Sequence, residues 1–167
     1  MKITAQEEYG LRCLLRLATV EPRSLTLPEI STAEGLSIPY VAKMMAVLRD
    51  AGLIDSVRGR SGGYRLAKAP DEIGLGSLLL ILGEPLFDDP GYCDRHPGQA
   101  EDGCVHKGSC SLKTFWSTLE TWMRRALDQI TLADLGRNHG DLGELLRLRL
   151  SAVPDEGPAL IPLNVLR

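Results

Sequence analysis

Residues 27–66 read LPEISTAEGLSIPYVAKMMAVLRDAGLIDSVRGRSGGYRL, and the fold turns on how this stretch is parsed. Pro28 fits the first turn of a helix whose stop signal is Gly35. Ser37 is a good N-cap for a second helix, with Pro39 in its first turn and an end near Gly52. Val41, Met44, Met45 and Leu48 recur on one face of that helix. Two short helices joined by a tight glycine-containing turn form a helix-turn-helix. LIDSV then alternates like a strand, GRSGG is a turn, and YRLAK is a second strand-like run. Together these make a hairpin with a glycine-rich, arginine-bearing tip. A helix-turn-helix followed by a basic hairpin is a winged helix. Arg58, Arg60 and Arg65 would be solvated charges on an ordinary hairpin; at the tip of a wing they are placed to meet phosphates.

Upstream, residues 5–20 read as a helix with Thr4 as its cap. Tyr9, Leu11, Cys13, Leu14, Leu15, Leu17, Ala18 and Val20 give it a broad apolar face. Glu8 and Arg12 are four apart on the polar side, the spacing of a surface ion pair. Leu25–Leu27 reads as a short strand. Downstream, DEIGLGSLLLILGEP is one more helix, with Asp71 or Ser77 as its cap. Pro85 and Pro90 then break the chain into YCDRHPGQAEDGCVHKGSC, residues 92–110. After Cys110 comes a long amphipathic helix of about 20 residues, roughly 30 Å. Trp116, Leu119, Met123, Leu127 and Ile130 recur along it, flanked by Phe115, Trp122 and Ala126. Its stripe needs a cover, either a second copy of the chain or its own domain. GDLGELLRLRL adds a short amphipathic helix. The tail SAVPDEGPALIPLNVLR reads as extended, and the sequence gives it no role.

The chain has 167 residues, 44% of them apolar and 25% charged, an ordinary composition for a packed domain with an appendage. Apolar runs such as Leu78–Leu82 are too short to span a bilayer. The N-terminus lacks a signal-peptide pattern, so the expected location is cytoplasmic. Net charge is −3, unevenly spread: residues 1–70 hold ten Lys and Arg against seven Asp and Glu, and the remainder holds nine against fifteen. A polyanion would therefore meet the first half.

The segment 92–110 can bury little apolar surface, yet it holds Cys93, Cys104 and Cys110 with His96 and His106. A bound metal would replace the missing core. Structural zinc usually takes tight Cys-x2–4-Cys knuckles, and neither gap here is one. Iron–sulfur clusters tolerate longer spacing. Cys110 stands just before the long helix, whose N-terminal N–H groups and dipole favour an anionic group, and Ser109 and Ser111 offer caps. Three cysteines leave a fourth ligand to be found: His106, His96 or a group from elsewhere. Cys13, within LRCLLRLA, reads as a small core residue. A zinc-stabilised repressor and a thiol/disulfide switch remain alternatives. An enzyme built on Cys104 and His106 is disfavoured, because no oxyanion-hole motif or phosphate loop accompanies them.

The order of these elements resembles the Rrf-type family of winged-helix transcription regulators, the IscR/NsrR-like iron–sulfur cluster sensors. The segments that carry it are MKIT…YGLRCLLRLA, LPEISTAEGLSIPYVAKMMAVLRDAGLI, SVRGRSGGYRLAK and DQITLADL, and VRGRSGGYRL is the most specific. The resemblance covers about residues 1–135. It implies a homodimer on a double-stranded DNA operator, with one recognition helix per subunit in the major groove. Ser37, Pro39, Tyr40 and Lys43 match positions near bases or phosphates, and Arg58, Arg60 and Ser61 match the wing. An acidic base-reading position of some members corresponds to Ala42. The family's three cluster cysteines correspond to Cys93, Cys104 and Cys110, although the first gap is longer than in the commoner pattern. Some branches take the fourth ligand from the first helix of the other subunit, where Glu8 stands; His106 is the alternative. One two-iron branch adds a histidine where this chain has Arg12. Whether the cluster is 2Fe–2S or 4Fe–4S stays open.

The expected fold is mainly α: three helices plus a β-hairpin wing, then a long C-terminal dimerisation helix. The expected parts are a DNA-binding domain over 1–84, a cluster-binding loop over 85–111, a dimerisation helix over 112–135 and an extension over 136–167.

Overall fold

The computed structural model describes residues 3–59, 62–84, 87, 91–96, 104–106 and 108–151. Helix α1 (Ala5–Ala18) is followed by α2 (Leu27–Glu34), α3 (Ile38–Asp50), strands β1 (Ile54–Val57) and β2 (Gly63–Leu66), and a 3-10 turn (Pro70–Glu72). Then come α4 (Leu75–Leu82), α5 (Gly91–Arg95), α6 (Ser111–Asp128), α7 (Leu132–Leu135) and α8 (His139–Ser151). Among the described residues the architecture is mainly helical with one antiparallel hairpin, and Ile54 faces Leu66 while Val57 faces Gly63.

Local chemistry sets the first helices. Thr4 and Glu7 form a reciprocal capping box on α1, and Thr26 and Glu29 form one on α2. Gly35 ends α2 at φ 66°, a left-handed conformation that glycine adopts without steric cost. The chain then turns directly into α3. Val41, Met44, Met45 and Leu48 are fully buried against Cys13, Leu14, Leu17 and Ile30, so the two helices of the motif and α1 share one core. Each such buried aliphatic contributes about 1.5–3 kcal/mol.

Several details differ from the sequence reading. No strand forms at Leu25–Leu27; Leu25 alone bridges Tyr64, with N–H···O distances of 2.9 and 2.7 Å, because Thr26 is already the cap of α2. Helix α4 is capped by Gly74 rather than by Asp71, which lies in the 3-10 turn, or by Ser77, which lies inside the helix. Glu8 does not pair with Arg12. Arg12 and Arg16 instead converge on Glu34 at 3.0 and 2.8 Å, and Arg12 also donates to the Glu34 carbonyl at 2.7 Å. The Glu34 side chain is 8% exposed, so two guanidiniums neutralise a carboxylate that would be costly to bury alone. That pairing ties α1 to the end of α2.

The long helix returns to the head at its C-terminal end. The Leu75 N–H donates to Ile130 O and the Leu132 N–H to Ile73 O, both at 2.9 Å, around a bridge between Gly74 and Thr131. Gly76 permits this approach, since a Cβ there would overlap the Asp128 carboxylate. Ala126 and Ile130 are buried, and Leu127 packs on the core, so this end of the stripe is covered by its own chain. Helix α8 lies across the same corner. Leu146 packs against the core, and the Arg149 guanidinium donates to the Gln129 carbonyl and to Asp134 at 2.7 Å. Asp134 is 3% exposed and also accepts from the Thr131 N–H and hydroxyl, both at 3.0 Å. Burial works to raise its carboxyl pKa. The Thr131 hydrogen bonds and the Arg149 and Arg137 charges outweigh that and hold it below the usual carboxylate range.

A group with a depressed folded-state pKa stabilises the fold above its unfolded value, near 4, and loses that contribution as pH falls through the folded value. Asp134→Asn is therefore expected to cost about 1–3 kcal/mol at pH 7. Urea unfolding at stepped pH checks this: the gap between wild type and variant should narrow once the pH drops below about 4.

Candidate nucleic-acid interface and cysteine site

With one face of α3 committed to the core, the other looks outward. Ser37 caps it through its backbone carbonyl, which accepts from Val41 N–H at 3.0 Å; its hydroxyl makes no capping bond. Ile38, Pro39 and Lys43 are exposed. Tyr40 is placed differently from its neighbours. It is half-buried, packs on the core, and meets the Tyr9 ring edge-on at 5.7 Å between centroids. Arg12 lies over the Tyr9 ring at 5.4 Å, so the first turns of α1 and α3 and the end of α2 are held by one set of contacts. The exposed start of α3 thus presents Ser37, Pro39 and Lys43, while Tyr40 points to α1.

Arg58 is exposed just beyond β1, and Arg65 is exposed on β2 opposite Asp55. Arg60 and Ser61 lie outside the described residues.

Among its described residues the cysteine segment contains one short helix, α5, that carries Cys93 half-buried. Phe87, Tyr92 and His96 stack in sequence at 5.2 and 4.8 Å, and His96 Nδ1 donates to Tyr92 O at 2.8 Å. Cys104 is half-buried and His106 exposed. Cys110 is itself the N-cap of α6: its Sγ accepts from Lys113 N–H at 3.4 Å. The expected caps Ser109 and Ser111 are therefore displaced by the cysteine between them, which puts its sulfur at the positive end of the helix dipole. Glu8 is exposed on α1. None of the four cysteines is in a disulfide. Among the described residues no three Cys, His, Asp or Glu side chains gather closely enough to hold a metal. The donors of one chain are thus chemically apt, as three half-buried free thiols with one at a helix end, but they are not assembled within it.

Residues 3–138 match the Rrf2 family profile, described as iron-dependent transcriptional regulators. The chain belongs to the Rrf2 family. It is a DNA-binding transcription regulator and not an enzyme. It is similar to the HTH-type transcriptional regulator NsrR of Halalkalibacterium halodurans, 33% identical over 89% of this chain and 99% of that one. Among solved structures it is similar to T. potens IscR, at TM-score 0.61 and 32% identity over 81% of this chain and 85% of that one. It is also similar to Staphylococcus aureus CymR in an oxidized form, at TM-score 0.60 and 29% identity over 83% of this chain and 98% of that one. No described helix is long and apolar enough to cross a membrane. Helix α8 lies beyond the residues that the family profile matches.

The sequence reading missed Cys110 as a cap, because capping rules count oxygen side chains, and it missed the inward turn of Tyr40. The apolar neighbours of Tyr40, Val41 and Met44, were the available signal.

Cys13 is fully buried, and that burial, with Glu34 nearby, pushes its thiol up to about 11. Reduced, metal-free protein titrated with a thiol reagent near pH 8 should show three reacting thiols per chain. The fourth should appear only in denaturant; four fast thiols would contradict the packing of α1.

Proposed function

We propose that the chain is a homodimeric regulator whose operator affinity is controlled by an iron–sulfur cluster. Cys93, Cys104 and Cys110 would hold the cluster, with Glu8 of the partner subunit as fourth ligand and His106 as the alternative. The observation that carries this reading is the cysteine trio itself. Three free, half-buried thiols stand in a segment with little apolar content, and the last of them opens α6. A carboxylate is a hard ligand among thiolates and makes the weak point of such a set. When bound, the cluster supplies a redox- and ligand-sensitive link between the cysteine segment and α1. The protein's own contribution is positional: Tyr9 and Arg12 connect the turn that carries Glu8 to both helices of the reading motif.

The second subunit is supported by α6. Leu112, Phe115 and Trp122 are exposed, with Leu119 half-buried between them. Their spacing of three, four and three residues is that of a helix–helix seam. In a dimer, Ser37 and Lys43 of each α3 would face the major groove, and Arg58, with Arg60 and Ser61, the adjoining backbone or minor groove.

A second reading is a thiol/disulfide switch without a cluster. It draws support from donors that do not converge within one chain, and from the likeness to CymR in an oxidized form. A zinc-stabilised regulator is the remaining form of this alternative.

Anaerobic purification with iron, sulfide and zinc counted per chain tests the proposal. Matched iron and sulfide with a visible absorbance band is the expected result, reduced in Cys93→Ala and Cys104→Ala and made labile in Glu8→Ala. Stoichiometric zinc, or no metal in anaerobic protein, would sink the cluster reading. Separately, Phe115→Asp with Trp122→Glu should convert the dimer to a folded monomer in sedimentation, with operator binding weakened at least tenfold, about 1.4 kcal/mol.

A further inference from the structure

The outward face of α3 has an unusual inventory for a helix that meets base pairs. Arg49 is exposed near the far end of the helix and pairs with Asp50 at 3.0 Å; the first turns after Ser37 present Ile38, Pro39, Ala42, Lys43 and Ala46. Apart from Lys43, none of these is a side chain that reads a base with paired hydrogen bonds: Arg for guanine, Asn or Gln for adenine, Asp or Glu for cytosine. Ile38 is 47% exposed although it sits beside a well-filled core. A β-branched apolar residue contributes nothing to starting a helix, where oxygen side chains or proline are favoured. Its own fold does not use it fully: Val41, Met44, Met45 and Leu48 are completely buried, whereas Ile38, in the first turn at the edge of that stripe, stays half exposed. Pro39 follows at once and restricts the backbone, so the Ile38 side chain is offered from a stiff position.

We propose that Ile38 is a specificity-determining residue that reads thymine, packing its side chain against the 5-methyl group in the major groove. The inference rests on the reading of α3 as the groove-facing helix. Apolar contact with that methyl is the one base-edge interaction an isoleucine can make, and only thymine among the four bases carries the group. Each half-site therefore contains a T·A pair whose methyl faces Ile38. Removing one buried methyl is worth about fourfold in affinity, from about 0.8 kcal/mol per buried carbon. Loss in both half-sites multiplies to about fifteenfold for independent contacts.

The test uses full-length protein and its DNA alone. Duplexes are selected from a random pool by wild type and by Ile38→Ser. Each thymine of the selected half-site is then replaced singly by deoxyuridine, which keeps the pairing and deletes the methyl. Wild type should lose about fourfold at one thymine per half-site. A 5-methylcytosine·guanine pair there, which restores the methyl, should bind better than cytosine·guanine. Ile38→Ser should keep its melting temperature, lose sensitivity to deoxyuridine at that position and select a degenerate base there. A wild type that selects a sequence but ignores every deoxyuridine, or an Ile38→Ser protein with undiminished sensitivity, overturns the role of Ile38 and leaves α3 as the reading helix. A wild type whose selected sequence is unaffected by Lys43→Ala and Ile38→Ser together overturns both.

Discussion

Two backbone hydrogen bonds, from Leu75 N–H to Ile130 O and from Leu132 N–H to Ile73 O, decide how the parts of this molecule are related. The chain leaves the reading head at the end of α4, passes through the cysteine segment, runs along α6 and returns to the head beside its point of departure. Without that return, α6 would be an outrigger joined to the head by a segment that carries almost no core. With it, the far end of α6 is anchored, and Asp134, its Thr131 cap and Arg149 hold the corner. The near end of α6, which begins at Cys110, has no comparable splice among the described residues. The helix is thus fixed where it meets the head and is open to influence where it meets the thiols.

The head has its own hierarchy of ties. Apolar burial gathers α1, α2 and α3 around Leu14, Ile30, Met44 and Met45, but burial is non-directional. Orientation comes from polar and ring contacts at the edges: Arg12 and Arg16 on Glu34, and Tyr9 against Tyr40. These contacts gather on the face of α1 that also carries Glu8. A perturbation applied there would reach both motif helices through side chains already in contact, over one or two turns of helix.

Much of this was written in short-range sequence. Thr26, Pro28, Gly35 and Ser37 punctuate the helix-turn-helix by rules that act over three or four residues, and the hairpin follows from strand alternation and glycine. What was not legible acts over longer separations. Glu34 lies 22 residues from Arg12, and no local spacing rule could pair them in preference to Glu8. The apolar stripe of α6 read as one surface, whereas the structure divides it. Leu127 and Ile130 go to the chain's own core, Trp116, Leu119 and Met123 are half-buried, and the flanking Phe115 and Trp122, with Leu112, stay outside. Periodicity records that a face is apolar and carries no label for what covers it. The cysteine segment was legible in composition but not in geometry, because the thiols are not brought together by the packing of a single chain.

The inward placement of Tyr40 has an effect on the cost of recognition. A tyrosine at the start of a reading helix, left to swing in solvent, would surrender rotamer freedom each time it met a ligand. Here the edge-on contact with Tyr9 restrains that ring during folding, and the proline beside it stiffens the turn. The start of the helix therefore arrives with that ring already ordered, and Lys43 is the long side chain there that is left to be ordered on binding.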